Sequence, residues 1–169
     1  MSDLIYEGAA TVRRLPQRGM ITLRGDLSEL AAAVSVPEPG HVVGDVAWMS
    51  PDELLVMCPP ADVEARIVAL RQAMAGKHHL VQDVSDARAI FEITGPHAGE
   101  TLAKLCPVDV AAMTPGRFRR TRLAQVACAF WMREEGGYEL VCFASVADYA
   151  WGVLRNAAAH PVGHFEPKR

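Results

Sequence analysis

Two polar clusters in the sequence carry groups that could do chemistry, and the first is an acidic turn at residues 133–139. Glu134 and Glu135 come directly before Gly136 and Gly137, and an apolar run precedes them. A carboxylate at such a place could accept hydrogen bonds from the ring N–H and amino groups of a heterocycle. A solvated hairpin turn is the alternative, because a Gly-Gly pair supplies the positive φ angles that tight hairpins need.

The second cluster is basic and consists of Arg117, Arg119, Arg120 and Arg122. If this run forms a strand, Arg120 and Arg122 share one face of the sheet, and Arg117 and Arg119 share the other. Such a row either protects a sheet edge against aggregation or presents bidentate donors to the carboxylates of a partner. Binding of a phosphate or another polyanion is a third alternative.

The cysteines and histidines show no spacing that is typical of a metal site. There is no Cys-x-x-Cys pair, so the four cysteines are expected to be buried, reduced thiols. His160 and His164 have the i, i+4 spacing of a helical metal pair, but Pro161 between them argues against a helix. Cys58 or Cys142 beside a histidine could act as a nucleophile, although such pairs also arise by chance. We expect no metal and no catalytic residue in this chain.

The composition excludes several classes of protein. The chain has 169 residues, of which 50% are hydrophobic and 22% charged, with a net charge of −3, as in an ordinary globular protein. A slightly acidic balance gives no general attraction to nucleic acid. The sequence shows no apolar run long enough to cross a membrane and no signal peptide pattern, so we expect a cytoplasmic protein with no membrane partner. The nucleotide fingerprints Gly-x-Gly-x-x-Gly and Gly-x-x-x-x-Gly-Lys-[Ser/Thr] are missing as well.

An internal duplication organises the elements that carry both clusters. Trp48 in the first half matches Trp131 in the second, and the order strand, glycine, helix occurs at both Gly25 and Gly95. Each half shows the order strand, helix, strand, strand, helix, strand of a ferredoxin-like split βαβ unit. We therefore predict an α+β fold with antiparallel sheets. Its parts are an N-terminal arm at 1–18, a first ferredoxin-like half at 19–86 and a second at 87–169, the two halves forming one body.

Apolar periodicity and turn residues locate the single elements. Both tryptophans are expected in the core, because each would bury a large surface. Strands are predicted at 20–24, 41–49, 54–58, 79–84, 88–94, 118–123, 125–132 and 138–143, with a weak last strand at 162–165. Helices are predicted at 27–34, 63–74, 98–105 and 146–157.

Several short motifs follow one another through the second half of the chain. They are VSDARA at 84–89, FEITGP at 91–96, LAKLCPVD at 102–109, PGR at 115–117, YEL at 138–140 and ADYAW at 147–151. In this order they resemble the gamma subunit of heterotetrameric sarcosine oxidase, over about residues 20–159. The motifs Ser-x-Ala, Gly-Pro and Gly-Tyr-Glu are also similar to the folate-binding fold of glycine-cleavage aminomethyltransferases.

The resemblance implies a bacterial four-subunit flavoenzyme. Such a complex oxidatively demethylates sarcosine to glycine, consumes oxygen, releases peroxide and passes the one-carbon unit to tetrahydrofolate. The flavins FAD and FMN, together with NAD, would belong to the alpha and beta subunits, and zinc to the delta subunit. The gamma subunit would bring no cofactor of its own and would have the alpha, beta and delta subunits as partners.

The resemblance also gives the acidic turn a specific role. Folate-binding relatives carry the turn Thr-Gly-Glu-x-Gly-[Phe/Tyr]-Glu, and residues 133–139 match it. Glu135 falls where the pterin-contacting carboxylate of those relatives lies, while Arg133 and Glu134 replace Thr-Gly and add charge and bulk. Three functions follow as hypotheses. The chain is a noncatalytic subunit that packs against the alpha subunit, a free-standing folate-binding or one-carbon-transfer protein, or a small-molecule sensor built on paired ferredoxin-like units.

Overall fold

The computed structural model describes residues 4–162 and divides the chain into two compact units. Unit 2 is Gln17–Arg88, and unit 1 consists of the described residues on either side of it. The strands are β1 (Ile5–Glu7), β2 (Thr11–Arg14), β3 (Gly19–Gly25), β4 (Val42–Val43), β5 (Val46–Ser50), β6 (Glu53–Cys58), β7 (His79–Asp83), β8 (Arg88–Thr94), β9 (Phe118–Leu123), β10 (Val126–Met132) and β11 (Tyr138–Phe143). The helices are α1 (Leu27–Leu30), α2 (Val63–Ala73), α3 (Ala98–Ala103) and α4 (Ala147–Ala158), with short 3₁₀ turns at Pro60–Asp62, Val110–Ala112 and Ala144–Val146.

Unit 2 is a five-stranded antiparallel sheet in the order β4-β5-β6-β3-β7. Taken in chain order, β3, β5, β6 and β7 occupy the sheet as the four strands of a split βαβ unit do. Leu30 of α1, Leu70 of α2 and Met74, the residue after α2, belong to a core on one face of the sheet. Leu70 and Met74 are four positions apart, so they lie on the same side of the helix. The Asp26 carboxylate accepts a hydrogen bond from the Ser28 backbone N–H and so caps α1.

Unit 1 is a six-stranded antiparallel sheet in the order β1-β2-β8-β11-β10-β9. Here β8, β10 and β11 supply three strands of the second ferredoxin-like half, and β2 takes the position of the fourth, with Val12 opposite Ile93. Helices α3 and α4 pack on one face and bury Leu102 and Leu154 against Phe91, among others. The strand predicted at 162–165 lies, apart from Val162, outside the described residues.

The predicted α+β fold of two ferredoxin-like halves is confirmed, and some details differ. The single strand predicted at 41–49 is wrong, because Gly44 adopts a φ of +58° and turns the chain into a hairpin of β4 and β5. The segment predicted to be an N-terminal arm contains β1 and β2. Trp131 is buried and stacks on Phe118, with ring centroids 6.2 Å apart. Trp48 is half-buried against the core of unit 2.

Candidate functional site

The acidic turn joins β10 to β11, as the sequence predicts, and its backbone is fixed by two internal hydrogen bonds. The Gly136 N–H donates to the Arg133 carbonyl over 3.1 Å, and the Arg133 N–H donates to the Gly137 carbonyl over the same distance. Gly136 and Gly137 have φ angles of +90° and +75°, in the region that favours glycine. The Gly-Gly pair therefore closes the hairpin by backbone geometry.

Gly137 also brings the turn against strand β8. A Cβ atom at this position would lie 2.8 Å from the Ile93 carbonyl oxygen and 2.9 Å from the Thr94 Cγ2 atom. Real Cβ atoms essentially never approach other heavy atoms this closely, so only a glycine fits without a shift of the neighbouring backbone. The missing side chain lets the turn reach the end of β8, next to Glu92.

Arg133 links the turn to β8 through two carboxylates. Its guanidinium forms ion pairs with Glu92 on β8 and with Glu135 within the turn, and the Nε atom lies 2.9 Å from Glu135 Oε1. The side chains of Arg133 and Glu92 are 22% and 19% exposed, whereas that of Glu135 is 63% exposed. The hydrogen bonds from Arg133 lower the pKa of Glu135 below its ordinary value. Glu135 is therefore an ionised acceptor at neutral pH that already has a cation as its partner.

The sequence indicates Glu135 and Arg133 but not Glu92, the second carboxylate that Arg133 contacts. Glu92 alternates with apolar residues along β8, which marks it only as a residue on the opposite face of a strand. Strands β8 and β11 are neighbours in the sheet although helix α3 and the β9–β10 hairpin separate them in sequence. The signal that could have found the ion pair is the replacement of a neutral turn residue by Arg133, since a half-buried guanidinium needs a carboxylate.

Three residues of the basic cluster lie on β9, an edge strand of the unit 1 sheet, and Arg117 directly precedes that strand. Arg120 and Arg122 are exposed, whereas Arg117 and Arg119 are half-buried. The Arg119 guanidinium donates to the Phe118 carbonyl over 3.2 Å, and that of Arg122 donates weakly to a carbonyl in the following turn. The strand and the alternation of its arginines are as the sequence predicts. Strand β9 is the neighbour of β10, and the Met132 N–H donates to the Arg117 carbonyl over 3.1 Å. The first arginine of the cluster therefore lies beside the end of β10, where the acidic turn begins.

The side chains considered as metal ligands or nucleophiles have other surroundings. Over residues 4–162, no group of three or more His, Cys, Asp or Glu side chains is arranged to hold a metal ion, and His164 lies outside that range. Burial raises the pKa of the Cys58 thiol, which makes it a weaker nucleophile. The Cys142 thiol is buried and donates to the Phe143 carbonyl over 3.4 Å. In the same range, every α-helix is too short or too polar to cross a bilayer.

Comparison with known proteins gives one consistent result. The model of the sarcosine oxidase, gamma subunit family matches residues 26–160. The sarcosine oxidase subunit gamma of Corynebacterium sp. strain U-96 is 30% identical over 163 residues, which cover 88% of this chain and 78% of that protein. The chain is also 28% identical to the aminomethyltransferase of Thermotoga maritima over 73% of its own length but only 35% of the length of that enzyme.

Solved structures agree with the sequence comparison. A chain of the heterotetrameric sarcosine oxidase from Corynebacterium sp. U-96, in complex with pyrrole 2-carboxylate, superimposes with a TM-score of 0.81 at 27% identity. The match covers 92% of this chain and 87% of that one. The glycine cleavage system aminomethyltransferase T from Bartonella henselae superimposes with a TM-score of 0.65 at 12% identity and shares the fold, with 46% of its own chain covered.

Proposed function

The chain belongs to the sarcosine oxidase gamma subunit family, and from this premise we propose that it serves the complex as a noncatalytic subunit that shapes and stabilises the assembly. It is a gamma subunit of sarcosine oxidase, and other subunits of the heterotetramer are its partners. The observation that carries the proposal is the correspondence along 92% of this chain with a chain of a heterotetrameric sarcosine oxidase.

The redox chemistry belongs, in this proposal, to the partner chains. The complex oxidatively demethylates sarcosine to glycine, releases peroxide and transfers the one-carbon unit to tetrahydrofolate. FAD, FMN and NAD are held by the alpha and beta subunits and zinc by the delta subunit, as the family resemblance implies. A cytoplasmic location belongs to the same proposal.

The basic cluster on β9 is proposed as a contact with a carboxylate-bearing partner subunit. Two facts support it. An edge strand leaves one row of backbone N–H and C=O groups unpaired by its own sheet. The guanidinium groups of Arg119 and Arg122 bond only to backbone carbonyls of their own chain among the described residues, which leaves them donors for a planar carboxylate.

Charge reversal tests this contact. Replacing Arg117, Arg119, Arg120 and Arg122 by Glu should weaken copurification with the large subunits while the far-ultraviolet circular dichroism of the chain stays unchanged. The matched control replaces the same residues by Lys, which keeps the charge and should retain much of the copurification. Unchanged copurification of the Glu variant would remove the cluster from the interface. If the Glu variant aggregates when isolated but still assembles with the large subunits, the arginines protect the sheet edge instead.

A folate contact at Glu135 stays a prediction with a defined physical obstacle. A pterin would have to donate its hydrogen bonds to a carboxylate that already accepts hydrogen bonds from Arg133. Isothermal titration of the full chain with tetrahydrofolate tests this contact. A binding heat that is lost in Glu135→Gln would support folate binding. If neither the natural chain nor Arg133→Met gives a binding heat, the proposed folate contact is refuted.

The proposed function itself is tested by assembling the complex with and without this chain. Coexpression with the large subunits, followed by sizing and by sarcosine-dependent oxygen consumption, should give a stable complex only when the chain is present. The isolated chain should show no turnover of sarcosine. Turnover of a methylated amine by the isolated chain would overturn the noncatalytic assignment, and an equally stable complex without the chain would overturn the assembly role.

A further inference from the structure

Three of the four cysteines lie in one core cluster of unit 1. Cys106, Cys128 and Cys142 all belong to the apolar core between the sheet and helices α3 and α4, and none of them forms a disulfide. Cys106 and Cys128 are each 5% exposed, and Cys142 is 1% exposed. The fourth cysteine, Cys58, is half-buried in unit 2. The three thiols of unit 1 therefore share one apolar core.

The backbone holds the loop of Cys106 against the hairpin of Cys128. Cys106 follows α3, and its neighbour Leu105 accepts a hydrogen bond from the Ala124 N–H over 2.8 Å. Ala124 is in the turn between β9 and β10, and it has a φ of +51°, which turns the chain sharply toward β10. The Cys128 thiol is near enough to that of Cys106 to lower the pKa of Cys106 through a hydrogen bond.

Cys142 is the other neighbour of Cys128, because the two residues are directly opposite each other on β10 and β11. Opposed residues in an antiparallel pair have Cβ atoms about 4.5–5.5 Å apart, whereas a disulfide needs about 3.5–4.5 Å. The Cys142 thiol also donates to the Phe143 carbonyl. A loop residue such as Cys106 has more freedom to approach Cys128 than a residue fixed in the neighbouring strand.

We propose that Cys106 and Cys128 are a disulfide-forming pair that is oxidised by hydrogen peroxide. The Cys106 thiolate attacks one peroxide oxygen, the O–O bond breaks, and a sulfenic acid forms with loss of hydroxide. The Cys128 sulfur then attacks the Cys106 sulfur, the S–S bond forms, and the hydroxyl leaves as water. The hydroxide takes up the proton that Cys106 released. In total, two thiols lose two protons and two electrons, and one peroxide becomes two waters.

The hydrogen bond between the two thiols makes Cys106 the residue that attacks peroxide and Cys128 the residue that attacks the sulfenic acid. By donating to Cys106, the Cys128 thiol lowers the pKa of Cys106 and thereby favours its thiolate. The same interaction, together with burial, raises the pKa of Cys128, which stays protonated until the second step. Isolated core thiols are inert because they are buried and protonated. A pair differs, since the second thiol captures a sulfenic acid formed during a brief local opening.

Peptide mapping tests the proposal on the full chain, alone and in the assembled complex. After exposure to hydrogen peroxide, the protein is unfolded, its remaining thiols are alkylated, and it is digested without reductant. We expect a cross-linked peptide pair that contains Cys106 and Cys128, lacks two hydrogens and disappears on treatment with dithiothreitol. Alkylation at these two cysteines should fall in parallel, while Cys142 stays alkylated. The added peroxide makes this test independent of the proposed function.

Variants separate the pair from its neighbours. Cys142→Ala should keep the cross-link, and Cys58→Ala should keep it while removing the more exposed thiol. Cys106→Ala should abolish it. A cross-link between Cys128 and Cys142, or peroxide oxidation confined to Cys58 with Cys106 and Cys128 still fully alkylated, would overturn the proposal. Mapping of the natural chain gives this answer even if a core variant fails to fold.

Discussion

Replacing Gly137 by Ala should destabilise the protein through two separate effects. A residue with a side chain at a φ of +75° is strained by about 1–2 kcal/mol. The new Cβ atom would also stand 2.8 Å from the Ile93 carbonyl oxygen, and overpacking of this kind costs about 1–3 kcal/mol. We expect Gly137→Ala to lower the free energy of unfolding by about 2–5 kcal/mol from these two contributions.

Gly136→Ala is the matched control, since the neighbouring glycine has a φ of +90° and no atom within 4 Å of the added Cβ. It should lose only the strain of about 1–2 kcal/mol. Replacing a glycine by alanine also lowers the conformational entropy of the unfolded chain. This effect is the same in both variants and cancels when their free energies of unfolding are compared. Urea unfolding followed by tryptophan fluorescence measures both values, and each kcal/mol also corresponds to roughly 2–4 °C in the thermal midpoint. Equal losses in the two variants would refute the close approach of the turn to β8.

Three further perturbations test other parts of unit 1. Arg133→Met leaves the half-buried Glu92 without its cation and should cost about 1–3 kcal/mol in urea unfolding, so an unchanged midpoint would contradict the ion pair. The Val162 N–H is the main cause that lowers the pKa of Glu100 in the folded state, so this carboxylate stabilises the fold at neutral pH and loses that effect as pH falls below 4.5. In Glu100→Gln, the free energy of unfolding should therefore change less with pH in that acidic range. A pH dependence as steep as that of the natural chain would disprove this role of Glu100. Trp131→Ala should cost about 3–5 kcal/mol, and an unchanged thermal midpoint would move that ring out of the core.

Local patterns predicted most of the fold because each element is specified by its own residues. The alternation of Phe91 and Ile93 with polar neighbours indicated β8, and Gly136-Gly137 indicated the hairpin that follows β10. The turn at Gly44 was missed although Gly44-Asp45, a dipeptide typical of two-residue hairpin loops, interrupts the apolar run. Helix α1 is shorter than predicted, because the length of so short a helix depends on packing more than on its own sequence.

Contacts between residues far apart in sequence could not be predicted in this way. The turn Arg133 to Gly137 could be located from its glycines, but the partner Glu92 is determined by the order of strands in the sheet. Strand β2 is a similar case, because its four residues carry a single buried apolar side chain, Val12, which is too weak a pattern to indicate a strand. Its conformation is stabilised by pairing with β8.

The pairing of β2 with β8 has a consequence for the order of events at the ribosome. Val12 is synthesised before Gln17–Arg88, whereas its cross-strand neighbour Ile93 is synthesised only after that whole segment. The contiguous segment can form its native sheet during translation, whereas β1 and β2 can join their sheet only after β8 has been synthesised. Such a non-local closure is slow, so the leading hairpin is the part of the nascent chain most exposed to chaperones and proteases before the polypeptide is complete.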